Sequence, residues 1–88
     1  MSKEQVIQVR LLFFARAREI AGCDALELEL PDGARLTDVV DRLCDQHPAI
    51  RNYVGHCRWS INEEFAPLEA PVPTGAEIAL IPPVSGGI

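Results

Sequence analysis

No stretch of the chain approaches the roughly 20 consecutive apolar residues that a membrane-spanning helix needs. No apolar segment with a cleavage site precedes the first predicted strand either, since Met1 to Gln5 is short and polar. A secretory signal peptide is therefore not expected. Cysteine is sparse: Cys23, Cys44 and Cys57 are odd in number and form no C-x-x-C. That argues against a disulfide framework and against a structural zinc site, so no metal is expected and a reducing, cytoplasmic compartment is the default. Basic residues are also in deficit, with 8 Lys and Arg against 13 Asp and Glu and a formal net charge of −5. A general nucleic-acid binder needs a basic stripe to displace phosphate counterions, and an anionic membrane repels such a chain. The charge suits a basic protein partner, and equally serves to keep a small domain soluble. With only three Phe, one Trp and one Tyr, aliphatic side chains must fill most of the interior.

What remains is an ordinary globular composition, 48% hydrophobic and 24% charged over 88 residues. That length fits one domain, small enough to need an efficiently packed core. Residues 6 to 14 read as a strand in which Ile7, Val9, Leu11 and Phe13 alternate with Gln8, Arg10, Leu12 and Phe14. One face is apolar throughout; the other begins polar and turns apolar at Leu12 and Phe14. Residues 15 to 21 favour helix, with Gly22 as its stop. Residues 25 to 30 alternate as a strand with Leu26, Leu28 and Leu30 inward, followed by a turn at Pro31-Asp32-Gly33.

Thr37 is the expected N-cap of a second helix that carries Leu36, Val39, Val40, Leu43 and Cys44 at helical spacing and ends at about His47, before Pro48. Residues 49 to 57 read as irregular, Arg58 to Asn62 as a short strand, Asn62-Glu63-Glu64 as a turn, and residues 76 to 81 as the last strand. The order predicts an α+β fold in two layers, a mixed sheet covered on one face by the 37–47 helix. Cys44 belongs to the core. Cys57 beside His56 is not expected to form an activated thiolate, because adjacent residues in an extended segment point to opposite sides. Arg16 and Arg18 serve either partner contact or the polar side of a short helix.

After Ile81 the chain reads Pro82-Pro83-Val84-Ser85-Gly86-Gly87-Ile88. Two prolines cannot continue a ladder, so the strand ends there and the exit is stiff. The glycines have no side chains, which suits threading a narrow channel, and residues 82 to 87 extended would reach roughly 20 Å. A Gly-Gly near a terminus is by itself a weak signal; the stiff, partly apolar lead-in makes it a delivery arm. The expected division is a domain over 1–81 and a flexible tail over 82–88.

Three stretches carry a resemblance to a known family: Leu12-Phe13-Phe14-Ala15-Arg16-Ala17-Arg18-Glu19, the Asn62-Glu63 turn, and Ile78-Ala79-Leu80-Ile81-Pro82-Pro83-Val84-Ser85-Gly86-Gly87. Together with the strand at Ala25 to Leu30, the chain from Val6 to Gly87 resembles the small subunits of molybdopterin synthase. The resemblance implies a ubiquitin-like β-grasp fold. It implies that the Gly87 carboxylate is adenylated by an ATP-using, ubiquitin-activating-like adenylyltransferase, with no cofactor bound by the chain itself, and is then converted to a thiocarboxylate. It implies insertion of the tail, with Gly86 and Gly87 at its tip, into the large subunit, where sulfur passes to a pterin precursor to form molybdopterin. Such a subunit is a sulfur donor within a sulfurtransferase complex, a heterotetramer, and not an enzyme on its own. A carrier for thiamine or tRNA thiolation, a ubiquitin-like modifier and a ubiquitin-like interaction domain remain alternatives. Ile88 departs from the family pattern, since a chemistry at the Gly87 carboxylate requires that Ile88 be absent.

If the first and last strands lie side by side in parallel, as in a β-grasp, Leu12, Phe14, Ala79 and Ile81 share the face away from the helix. With Pro82, Pro83, Val84 and Ser85 they are the expected partner-binding residues. The other possibility is that loops such as 63–73 cover them.

Overall fold

A computed structural model describes residues 5–82. Strand β1, Val6–Phe13, buries Ile7, Val9, Leu11 and Phe13 and leaves the alternate residues on the opposite face. It stops one residue earlier than the sequence predicts, and Phe14 instead caps helix α1, Ala15–Ala21. Gly22, at φ 79°, ends α1 as expected and donates its N–H to the Arg18 carbonyl at 2.9 Å. Strand β2, Ala25–Pro31, returns antiparallel to β1, with Leu28 facing Val9 and Leu30 facing Ile7.

The main helix α2 spans Leu36–Gln46 and buries Leu36, Val39, Leu43 and Cys44. Its N-cap is Arg35, not Thr37. The Asp38 carboxylate accepts the Arg35 N–H at 2.8 Å, a reach-back from three residues on that satisfies the cap. Carbonyls of a distant segment take the next two donors: Leu36 N–H bonds Ala70 and Thr37 N–H bonds Leu68, each at 2.9 Å. A Thr37 side-chain cap has no donor left to serve, which is why the local signal misplaced the start by two residues.

Residues 49–57, expected to be irregular, are largely ordered. A 3₁₀ turn over Pro48–Ile50 leads directly into the single-turn helix α3, Arg51–Val54. Pro48 sits at the first position of the turn, where its missing N–H costs nothing, and Ile50 is fully buried. One turn is too short to show a period, so only the burial of Ile50 marks it.

Strand β3, Arg58–Ile61, is joined to a two-residue strand β4, Glu64–Phe65, that the sequence reading did not resolve. Ile61 faces Glu64, so Asn62 and Glu63 alone make the turn, with φ of 52° and 73°. Positive φ at both central residues is the hairpin geometry that matches strand twist. Asn62 is tied to the last strand β5, Glu77–Ile81, by its N–H to the Glu77 carbonyl at 2.8 Å and its side-chain oxygen to the Glu77 N–H at 2.9 Å.

The sheet runs β2-β1-β5-β3-β4, with β1 and β5 parallel and every other pair antiparallel. With α2 across one face, this is the β-grasp arrangement. The core lies between them: Leu11, Ile78 and Leu80 from the sheet centre meet Leu36, Val39 and Leu43, all fully buried. Each such side chain contributes on the order of 1.5–3 kcal/mol by leaving water.

Glu63 holds a left-handed conformation that suits glycine better. Replacing it, Glu63→Gly, should stabilise the domain by up to about 1 kcal/mol, read as a higher urea midpoint with an unchanged slope.

Candidate functional site

The face of the sheet away from α2 is organised as rungs running across the strands. One rung pairs Ala25, Leu12, Ala79, Ser60 and Phe65 across all five strands. The neighbouring rung toward the start of β1 is charged, with Arg10 between Glu27 and Glu77. On the other side, toward the end of β1, Ile81 pairs with Arg58 and Phe14 follows Phe13. The open face is thus polar at one end and apolar at the end where β5 finishes.

A shallow cavity of about 330 Å³ lies on the apolar part, walled by Leu12, Phe14, Phe65, Ala79 and Ile81, with Ser60, Glu63 and Glu77 as its polar members. Phe14 is 48% exposed and Phe65 63% exposed, while Leu12, Ala79 and Ile81 are half-buried. Leaving two aromatic rings in water is unfavourable unless something covers them. The guanidinium of Arg58 stacks over the Phe65 ring at 4.4 Å from its centre, a cation–π contact that holds the ring at the rim. The 68–70 segment, which could have folded over this face, is bonded to the start of α2 instead.

The structure therefore brings Leu12, Phe14, Ala79 and Ile81 together as the alternation predicts, with half-buried Pro82 directly after Ile81. Pro83, Val84, Ser85, Gly86, Gly87 and Ile88 lie outside the described residues. Phe65 and Ser60 are additions. Their signal was the Asn62-Glu63 turn: a two-residue hairpin sets Phe65 opposite Ser60, on the face of Leu12 and Ala79. Reading residues 62–64 as a three-residue turn lost that register.

The other candidates lie away from this face or are inert. Cys44 is buried in the core, and burial pushes its thiol above the ordinary value. The Cys57 thiol donates to the Tyr53 carbonyl at 3.3 Å and is likewise raised, chiefly by burial. Both are poor thiolates. All three cysteines are free. Arg16 pairs with Glu19 at 3.9 Å and Arg18 with Asp24 at 3.4 Å, all well exposed, where such pairs contribute little. Among the described residues no three His, Cys, Asp or Glu are grouped so as to hold a metal ion, and no helix is long and apolar enough to cross a membrane.

Residues 11–87 match the model of the ThiS family. The chain belongs to the ThiS family. The match spans the apolar end of β1, the hairpin, β5 and the Gly86-Gly87 pair, and stops before Ile88. A molybdopterin synthase sulfur carrier subunit of Chlamydomonas reinhardtii is 35% identical over 83 residues, covering 92% of this chain and 100% of that one. One from Haemophilus influenzae is 40% identical over 81 residues, covering 90% and 99%. The crystal structure of SAMP1 from Haloferax volcanii superposes with a TM-score of 0.84 at 32% identity, covering 91% of this chain and 99% of that one. This ThiS-family chain thus shares its β-grasp fold with both sulfur carriers and a small archaeal modifier protein.

Two outcomes follow for the chain on its own. Phe14→Glu should fold and melt within about 1 kcal/mol of the parent, since a half-exposed site accepts a charge. Phe13→Glu, one residue earlier and only 2% exposed, should not fold, because it buries an unpaired carboxylate. Circular dichroism of the two distinguishes the faces. Burial raises Cys44, Cys57 and Tyr53 above their ordinary values of 9.0, 9.0 and 10.0. The folded state therefore favours their neutral forms, and the stability this brings is present below those values and lost above them. Urea unfolding should show a falling free energy as pH rises from about 8 through 10.

Proposed function

We propose that this chain is the sulfur-carrier subunit of molybdopterin synthase. The observation that carries the reading is the placement of the apolar part of the open face. It ends where β5 hands the chain to Pro82 and the Pro-Val-Ser-Gly-Gly run, so a partner seated on the open face would receive the tail beside it. Relatives so named, at 35–40% identity over nearly their whole length, support it.

In this reading the Gly87 carboxylate attacks the α-phosphate of ATP on an adenylyltransferase partner, releasing pyrophosphate and giving an acyl-adenylate. Sulfide attacks the acyl carbon, forming the C–S bond as the C–O bond to AMP breaks, and leaves a thiocarboxylate. The large subunit binds the open face through Phe14, Leu12, Phe65, Ala79 and Ile81, takes the tail from Pro82 through Ser85 to Gly87, and the sulfur is delivered to the pterin precursor. The folded domain supplies docking energy and reach; it acts as donor rather than as an enzyme, and holds no cofactor of its own. Three free thiols suit a reducing cytoplasm. The carboxylate is available only when Ile88 is absent.

The likeness to SAMP1 favours a second reading, a ubiquitin-like modifier joined through Gly87 to lysines of other proteins. The two part company in one experiment. The chain ending at Gly87 is incubated with ATP, an adenylyltransferase of this type and a sulfide source, then with a molybdopterin synthase large subunit and the pterin precursor. Expected are the mass gain of an oxygen-to-sulfur exchange, molybdopterin formation, no charging of the chain that retains Ile88, and about 30-fold weaker large-subunit binding by Phe14→Glu, the scale of an aromatic hot spot. Isopeptide products on target lysines without molybdopterin would establish the modifier instead.

A further inference from the structure

Among the described residues six adopt φ in the left-handed region. Gly22, Gly33 and Gly75 do so without steric cost, and Asn62 and Glu63 are required to by their hairpin. Ala15, at φ 50°, belongs to neither group. Its β-carbon makes this conformation cost roughly 1–2 kcal/mol, and it sits directly after Phe14.

The position explains what the strain holds. Phe14 is extended, with φ −126° and ψ 153°, and its side chain makes no capping bond. Its carbonyl accepts the N–H of Ala17 at 3.0 Å and of Arg18 at 3.4 Å, so α1 begins at once. Strand becomes helix across a single residue. The preceding backbone is well held: Phe13 pairs with Leu80 and donates its N–H to the Asp24 carbonyl at 2.9 Å. With that side held, the Phe14 Cβ turns only with Phe14's own φ, and this angle is held through the Phe14 carbonyl, which α1 anchors across Ala15. A left-handed alanine occupies a small region of φ/ψ, whereas glycine there ranges widely.

We propose that Ala15 is a positioning residue for Phe14: its strained, narrow joint fixes the ring over the open face, at the expense of stability. The inference rests on the reading of that face as the docking surface for the large subunit. It separates two quantities that an ordinary structural residue moves together. Loosening the joint should relieve strain while blurring the position of an exposed ring that must fit a partner.

The test is a double-mutant cycle with Ala15→Gly and Phe14→Ala in the chain ending at Gly87, read by calorimetric affinity for a molybdopterin synthase large subunit and by thermal melting. Ala15→Gly should melt no lower than the parent yet bind about three- to tenfold more weakly, and that loss should vanish in the Phe14→Ala background, where no ring remains to be placed. Carbon relaxation of the Phe14 ring in the free chain, which needs no partner, should report larger ring motion in Ala15→Gly. Unchanged binding and ring motion, a loss that persists without the ring, or a lower melting temperature overturns the proposal. A parent that fails to bind the large subunit overturns the docking reading alone, and the ring relaxation still decides the joint.

Discussion

The parallel pairing of β1 with β5 is the constraint on which everything else depends. It joins the two ends of the domain, with Leu11 beside Ile78, Leu12 beside Ala79 and Phe13 beside Leu80. Closing so long a loop is entropically unfavourable until the core forms. The burial of Leu11, Phe13, Ile78 and Leu80 against α2 offsets that cost. Because the two strands run the same way, they also finish at the same edge. Phe14 and Ile81 are neighbours for this reason alone. An antiparallel pairing of the same two strands would have put the exit of the chain at the start of β1, beside Arg10 and Glu27.

The same pleat that buries one set of residues exposes the other. Leu12 and Ala79 cannot turn inward without expelling Leu11 and Ile78, since a one-residue slip reverses every side chain. An apolar open face is thus fixed by the core, and its size is set by what the neighbours add. The β3–β4 hairpin adds Phe65, steadied by Arg58, and leaves Ser60 between two apolar residues. Ordinary pressure on a small domain would remove exposed aromatic rings. Their retention at the rim of a cavity beside the chain's exit is economical if a partner covers both together.

The helix side shows how little the polar surface contributes to holding the fold. The two ion pairs among the described residues are exposed, the Cys44 thiol is buried, and the Cys57 thiol is bonded to backbone. The start of α2 is held by backbone carbonyls of residues 68 and 70 and by Asp38. These bonds keep the long connection between β4 and β5 on the helix side, which leaves the opposite face open. Anchoring a loop in one place and uncovering a surface in another are here one event.

Local periodicity was enough for much of this. Strict alternation in residues 6–13 and 25–30, helical spacing through Leu36, Val39, Leu43 and Cys44, and the Pro-Pro stop after Ile81 determined the main elements, the core-facing residues and four members of the open face. Short elements escaped: α3 is a single turn and β4 two residues, too brief for any period to show. Thr37 looked like a cap because local chemistry does not reveal that Leu68 and Ala70 supply the acceptors. Phe65 was missed because its face depends on a turn of two residues rather than three. The sequence by itself determined which residues alternate and where the chain must leave the sheet. Only the tertiary structure decided which strands lie side by side, and hence that Phe14, Phe65 and Ile81 share one cavity, because strand pairing is fixed by long-range burial and hydrogen bonding, which local periodicity does not encode.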